Sequence, residues 1–298
     1  MIKLPVAVLA LVLVQSLSAI SQVPYSEEQF RVYDANGNSS SIEQVIKALD
    51  TTDVVFLGEE HDDPVTHAIE AEIFKRAVAQ YLAKRKVALS LEMFERDVQT
   101  VVDEYLNGLI SEDHFLLSSR PWKNYKTDYR PLVEVAKQNK LSVIAANAPR
   151  RYVNMVSRNG RDSLNGLSKQ AKEWVAPLPY GQPSKVYEEK FRALMAGAPE
   201  ATKLDNIVAS QSLWDATMSN SVAKYLSKNK HSLVVHLNGS FHTASRLGTV
   251  EHLLKYRPKT KVLVVTMRPS ADFKTFDKTK DTGTGDFVIL TAPPPAHP

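Results

Sequence analysis

Residues 53–64 read DVVFLGEEHDDP, and the fold class turns on them. Asp53–Leu57 is a short apolar, β-branched run of the kind that forms a strand buried on both faces. Gly58 stops it, because a glycine lets the chain turn sharply off a strand end. Pro64 stands where a helix would start, behind Asp62 and Asp63 as capping candidates. Ile69, Ile73, Phe74 and Ala77, continued by Tyr81, then fall at helical spacing and predict a helix over Ala68–Ala83.

The same alternation recurs along the chain. Further strands are expected at Val87–Met93, Leu141–Ala146, Leu233–Leu237, Lys261–Met267 and Phe287–Thr291, with helices at Asp97–Leu109 and Pro131–Asn139. Buried-type strands alternating with helices argue for an α/β fold: a mostly parallel sheet with helices on both faces. Residues 151–230, between the third and fourth core strands, carry helical patterns and proline-bearing breaks but no strong strand signal. So long an insertion reads as a helical cap or lid, and it is also a candidate oligomer surface for a homodimer. The expected organisation is a first part of the core over 22–150, the insertion over 151–230, a second part of the core over 231–292, and a disordered proline-rich tail over 293–298.

Composition narrows the function classes. The chain has 298 residues, 43% apolar and 23% charged, which excludes wholesale disorder, collagen and coiled coil. It has no cysteine, which removes disulfides, thiolate metal sites, a cysteine nucleophile and an acylated lipoprotein anchor. The net charge of +4 arises from 37 basic and 33 acidic residues mixed along the chain, which is not the footprint of a nucleic-acid binder.

Residues 1–21 read as a signal peptide. Lys3 supplies the positive charge, Leu4–Val14 is uncharged and mostly apolar, and small residues at Ala19 and Ser21 suit cleavage after Ser18 or Ser21. The run falls short of the ~20 apolar residues of a span, so an exported protein, periplasmic or secreted, with no stable membrane span is expected. An uncleaved N-terminal anchor is the alternative.

The chemistry concentrates at strand ends. The first strand runs into Gly58-Glu59-Glu60-His61, the second holds Glu92, the third delivers Asn147 and Arg150, and the fourth delivers Gly239-Ser240-Phe241-His242. In an open parallel sheet, ligands bind in the crevice at the carboxyl ends of the strands. If these strands are parallel neighbours, one crevice is lined by Glu59, His61, Glu92, Asn147, Arg150 and His242. Each residue alone also has a plainer structural use: Glu59, Glu60, Asp62 and Asp63 could cap the following helix, and Arg150 could neutralise Glu92.

Read in order, several stretches together resemble the ChaN-like haem-binding uptake family of the wider Tiki/TraB superfamily. They are Gly58–Asp62 with His67, the Leu91-Glu-Met-Phe94 strand end, Ala146-Asn-Ala-Pro-Arg150, Gln211 with Asp215 and Met218, and Gly239-x-x-His242. The resemblance spans about Val54 to Met267. It implies a parallel α/β core with a helical insertion, export, and haem or iron binding linked to iron uptake. Many members are lipoproteins, and this chain departs there because it has no cysteine.

Two chemistries compete. For haem, the iron ligand must be His, Tyr or Met. The segment Arg120–Pro131 offers Trp122, Tyr125 and Tyr129 to a flat porphyrin, with Tyr129 as axial ligand and Arg120, Lys123, Lys126 and Arg130 for its propionates. The plainer reading makes Tyr125 and Tyr129 one apolar stripe. The alternative is a metal-dependent hydrolase acting on a peptide or ester. In it His61 and His242, with Glu92 or Glu59 as the carboxylate, would hold zinc or manganese, the remaining glutamate would act as base, and Arg150 would bind a substrate carboxylate. Asp215 and Gln211 share a helical face that could reach this crevice from the insertion. His67, in the first turn of the expected helix, could support a ligand from behind or be just a polar residue there; His114, His231 and His252 read as ordinary surface residues, and Trp174 and Trp214 as core anchors.

Overall fold

The computed structural model describes residues 26–197 and 203–294. The expected signal segment and residues 295–298 of the tail lie outside the described residues. The strands are β1 (Phe30–Asp34), β2 (Ser39–Ser40), β3 (Val54–Glu59), β4 (Val87–Glu95), β5 (Ser142–Asn147), β6 (Leu233–Gly239), β7 (Val262–Pro269) and β8 (Phe287–Thr291). They form one sheet in the order β2-β1-β8-β7-β3-β6-β4-β5. From β8 to β5 all pairings are parallel, while β1 joins β8 and β2 antiparallel. The parallel strands are the ones expected from the sequence; the β1–β2 edge was not foreseen. β6, late in the chain, lies between β3 and β4.

The helices are α1 (Ile42–Ala48), α2 (Pro64–Tyr81), α3 (Gln99–Leu106), α4 (Glu112–Ser119), α5 (Arg130–Gln138), α6 (Arg150–Asn159), α7 (Lys169–Lys172), α8 (Lys185–Leu194), α9 (Leu204–Lys228), α10 (Thr249–Tyr256) and α11 (Lys278–Asp281). They cover both faces because the strands are apolar on both. Val55 and Leu57 of β3 pack into one core with Ile69, Ile73 and Phe74 of α2 and Leu132 of α5. Val54 and Phe56 pack into the other with Met218 and Val222 of α9 and Leu253 of α10. Each such side chain, fully buried, contributes roughly 1.5–3 kcal/mol.

The stretch 151–230, expected as a helical insertion or cap, is helical and lies between β5 and β6, but its last helix does not stand apart from the core. Met218, Val222, Ala223 and Leu226 of α9 lie against the sheet itself, so the long helix is a layer of the core. The rest of the insertion, including Val153, Val156, Val175 and Tyr180, packs on the α9 residues Ala209, Leu213 and Ala216. Among the described residues no helix is long and apolar enough to cross a membrane.

Candidate functional site

The carboxyl ends of β3, β6, β4 and β5 open into a cleft of about 220 Å³ lined by His61, Glu92, Glu95, Trp122, Asn147, Ala148, Arg150, Trp214 and His242. The structure therefore brings together five of the six crevice residues expected from the sequence. The sixth, Glu59, lies behind His61 and is buried.

His61 sits in the turn between β3 and α2. Asp63 fixes that turn by capping the helix, its Oδ1 accepting from the N–H of Val65 at 3.0 Å. The ring is the partly open member of the site, its side chain 41% exposed, and its Nδ1 lies 2.7 Å from Glu59 Oε1. That contact leaves Nε2 for the cleft. Trp122 meets the ring edge-on at 4.8 Å. Burial disfavours the imidazolium, yet its hydrogen bond to Glu59 and the charges of Glu92 and Glu59 outweigh that and raise the pKa.

Glu59 is held from several sides. The Tyr129 hydroxyl donates to its Oε1 at 2.6 Å. Its Oε2 faces His67 Nδ1 at 3.4 Å. Burial pushes its pKa up, but the hydrogen bonds from His61 and His67 prevail and bring it to about 2. With Oε1 engaged by His61 and Tyr129 and with no solvent access, Glu59 does not reach the cleft. The expectation that it serves there as a base is corrected: it orients His61.

His242 follows β6 in a short 3-10 turn. Its Nδ1 lies 2.7 Å from Asp215 Oδ1 of α9, and that oxygen also accepts from the Thr249 hydroxyl at 2.8 Å. Its Nε2 lies 3.7 Å from Glu92 Oε1 and 3.4 Å from Gln211 Nε2. Burial lowers its pKa, but Asp215 and Glu92 overcome that and push it up to about 9. Gly248 is needed beside this pair. Its φ is +52°, and a Cβ there would lie 2.6 Å from the His242 carbonyl and 3.0 Å from Asp215 Oδ1.

Glu92 owes its aim to a register shift in β4 against β5 between Leu91 and Glu95. Its Oε2 accepts from the backbone N–H of Gly239 at 2.8 Å, leaving Oε1 toward His242. Arg150, at the start of α6, is exposed on the cleft wall and makes no ion pair among the described residues. The anticipated pairing with Glu92 is absent, so its guanidinium stands open to an anion.

The tyrosines expected to face a porphyrin do not. Tyr125 and Tyr129 are 1% and 0% exposed. They belong to a single π-helical turn that runs into α5, and both pack in the core. Burial, with the charge of Glu59 beside it, drives the Tyr129 pKa far above the phenol range, so it remains a neutral donor. Arg120 and Arg130 are likewise engaged, the first by Glu95 and Asp97 and the second by Glu112. Three other residues also differ from expectation. His67 is buried against Glu59 and Glu70. His252 is buried near Ser212. Trp214 lines the cleft, edge-on to His242 at 6.4 Å.

Chemically, the cleft offers two imidazoles, each with Nδ1 held by a buried carboxylate and Nε2 on the open side, plus one carboxylate oxygen and one unpaired guanidinium. A histidine so oriented is a prepared metal or iron ligand.

A family model described as haem-binding uptake, Tiki superfamily, ChaN, matches residues 45–253. Among solved structures, ChaN of Campylobacter jejuni, described as binding heme cofacially, is 22% identical; the match covers 91% of this chain and 100% of that one with a TM-score of 0.70. A Bacillus cereus protein is 12% identical over 92% of this chain and 100% of that one, with a TM-score of 0.48. The erythromycin esterase EreC, in an open conformation, is 11% identical over 89% and 83%, with a TM-score of 0.46. No curated protein matches significantly.

Proposed function

The chain belongs to the ChaN haem-binding uptake family of the Tiki superfamily, and from that premise we propose that its cleft holds haem iron as part of iron uptake by an exported protein. The observation that carries this reading is His61. It is the accessible imidazole at the mouth of the cleft, its Nδ1 tied to Glu59 and its ring braced by Trp122. Its Nε2 is the iron donor, and Arg150 is the partner for a propionate. Export rests on the signal-like pattern of residues 1–21.

The donor set suits haem; the volume limits how it sits. Pockets that enclose a drug-sized ligand measure ≈ 300–1,000 Å³, and this cleft has about 220 Å³. The cleft is therefore too small to enclose a macrocycle, and His61 at its mouth would be the residue to hold the iron. When bound, haem supplies a Lewis-acidic, redox-capable iron; the chain's residues position it. Glu59 orients His61, Trp122 sets the ring angle, and Arg150 supplies an anchor for negative charge.

The test is a haem titration followed in the Soret region. Wild type and Tyr129→Phe are expected to shift the band alike, and His61→Ala to lose most of the shift. An unaltered titration in His61→Ala overturns the assignment.

One observation favours a second reading. Glu92 Oε1 and the Nε2 of His242 lie 3.7 Å apart in the cleft that His61 also lines, two of the donors that a divalent ion would need. Such an ion would supply Lewis acidity for hydrolysis of an ester or peptide, with Arg150 holding a substrate carboxylate. Elemental analysis of protein purified without a nickel column, followed by assays on adding zinc, manganese or cobalt, separates the two. Negligible bound metal and no gain of activity count against hydrolysis.

A further inference from the structure

Beneath His61 lies a second cluster that the cleft chemistry does not use. His67 and Glu70 lie three residues apart on α2, so they share a helical face, and Glu59 meets them from the end of β3. One oxygen or nitrogen from each lies within 4.8 Å of the others, and all three residues are buried. Among the described residues, Glu59 Oε2 and Glu70 Oε1 are buried oxygens without a hydrogen-bond partner. Two carboxylates buried side by side are strongly destabilised unless positive charge sits with them.

The distances have a definite meaning. His67 Nδ1 lies 3.1 Å from Glu70 Oε2 and 3.4 Å from Glu59 Oε2. Ligands about 2.0–2.1 Å from a tetrahedral zinc stand roughly 3.3–3.4 Å from one another. The other ring nitrogen, Nε2, lies 3.0 Å from the backbone carbonyl of His61. That bond, the usual outer partner of a metal-bound histidine, holds a proton on Nε2, so Nδ1, which faces both carboxylates, is the nitrogen on which a cation would replace a proton.

We propose that Glu59, His67 and Glu70 form a buried site for one divalent cation of the zinc or manganese class, separate from the cleft. The mixed imidazole and carboxylate donors suit those ions. The site does not depend on what the cleft holds. Without the cation, a proton must take its place. That proton sits on His67, whose Nδ1 faces both carboxylates; against the cost of burial, they raise its pKa to about 11. Because Glu59 also holds His61 through its other oxygen, a cation here would fix the orienting carboxylate of the cleft histidine from behind.

The full chain tests this. Wild type, Glu70→Gln, His67→Gln and the double variant His61→Ala/His242→Ala are unfolded with chelator, refolded with Zn²⁺ or Mn²⁺ alone, desalted and analysed for metal. Wild type and the double variant should each retain about one equivalent, and Glu70→Gln and His67→Gln less than about a tenth. Wild type refolded with the cation should also melt several degrees above the metal-free protein. Retention of no metal by wild type means the cluster holds only a proton and overturns the proposal. So does loss of metal from the double variant with retention in Glu70→Gln, which places the ion in the cleft. Should Glu70→Gln not refold, X-ray absorption of the zinc-loaded wild type decides. One imidazole with carboxylate oxygens supports the site, and two imidazoles overturn it.

Discussion

Gly239 stands so close to His61 that a Cβ on it would lie 2.9 Å from both Cε1 and Nε2 of the ring. Its φ of −56° suits any residue, so the glycine is there for space and not for backbone freedom. The end of β6 thus forms the floor on which the β3 histidine rests. Gly239→Ala should fold with a cooperative melt at a loss of about 1–3 kcal/mol, because the ring must move. Haem affinity should drop by roughly tenfold or more, about 1.4 kcal/mol. Circular dichroism and a Soret titration check both; unchanged affinity would show that the ring position does not matter.

Tyr129→Phe separates the structural role of the tyrosine from ligation. Its hydroxyl donates to Glu59 Oε1, the oxygen that also holds His61. Removing one donor to a buried carboxylate should destabilise by about 1.5–3 kcal/mol in urea unfolding. The Soret maximum of the haem complex should stay in place. A displaced maximum with unaltered stability would restore the tyrosine as a ligand.

Stability should fall on the alkaline side. His242 keeps its proton to about 9 in the folded chain, against about 6.5 when unfolded. The native state therefore binds more protons between those values. Its stabilising contribution is whole below about pH 6.5 and is lost as the pH rises through about 9, on the order of 3 kcal/mol. His67, which keeps its proton to about 11, extends the loss upward. Asp215→Asn should be less stable than wild type near neutral pH and show a flatter decline. Parallel declines in the two proteins would sink the assignment. Metal or iron affinity should move oppositely, rising as the imidazoles lose their protons.

Arg150→Ala should scarcely touch stability, within about ±0.5 kcal/mol, since the side chain is exposed and unpaired. Affinity for haem should fall, while affinity for its dimethyl ester, which lacks the propionate charges, should not. Equal losses for the two ligands would mean that Arg150 acts on something other than the carboxylates.

The parallel strands and the strand-end set were legible because each is a local signal: a β-branched run closed by a polar or glycine-bearing turn. Two chain segments remote from each other then carried the same G-x-x-H pattern, which made His61 and His242 stand out. Their carboxylate partners were harder to read. Asp215 showed only as one side of a helix face, and nothing local distinguishes a helix aimed at the cleft from one packed inward. Arg120–Pro131 misled for a related reason. Its aromatic and basic residues look like a ligand platform, but the π turn directs Tyr125 and Tyr129 inward, and the arginines find acidic neighbours that sequence order does not reveal. His67 was undervalued because Glu70, three residues along α2, is a routine helical neighbour, and Glu59 joins the pair only when α2 lies back over the end of β3.

The place of β6 in the sheet has a temporal consequence. It inserts between β3 and β4, although some 140 residues of chain separate it from the nearer of the two. A growing polypeptide on the ribosome that has made only the first two thirds of the molecule possesses His61 and Glu92, but neither the floor beneath the one nor the imidazole opposite the other. The cleft is therefore complete only in a chain that extends past β6, and shorter translation products are born without it.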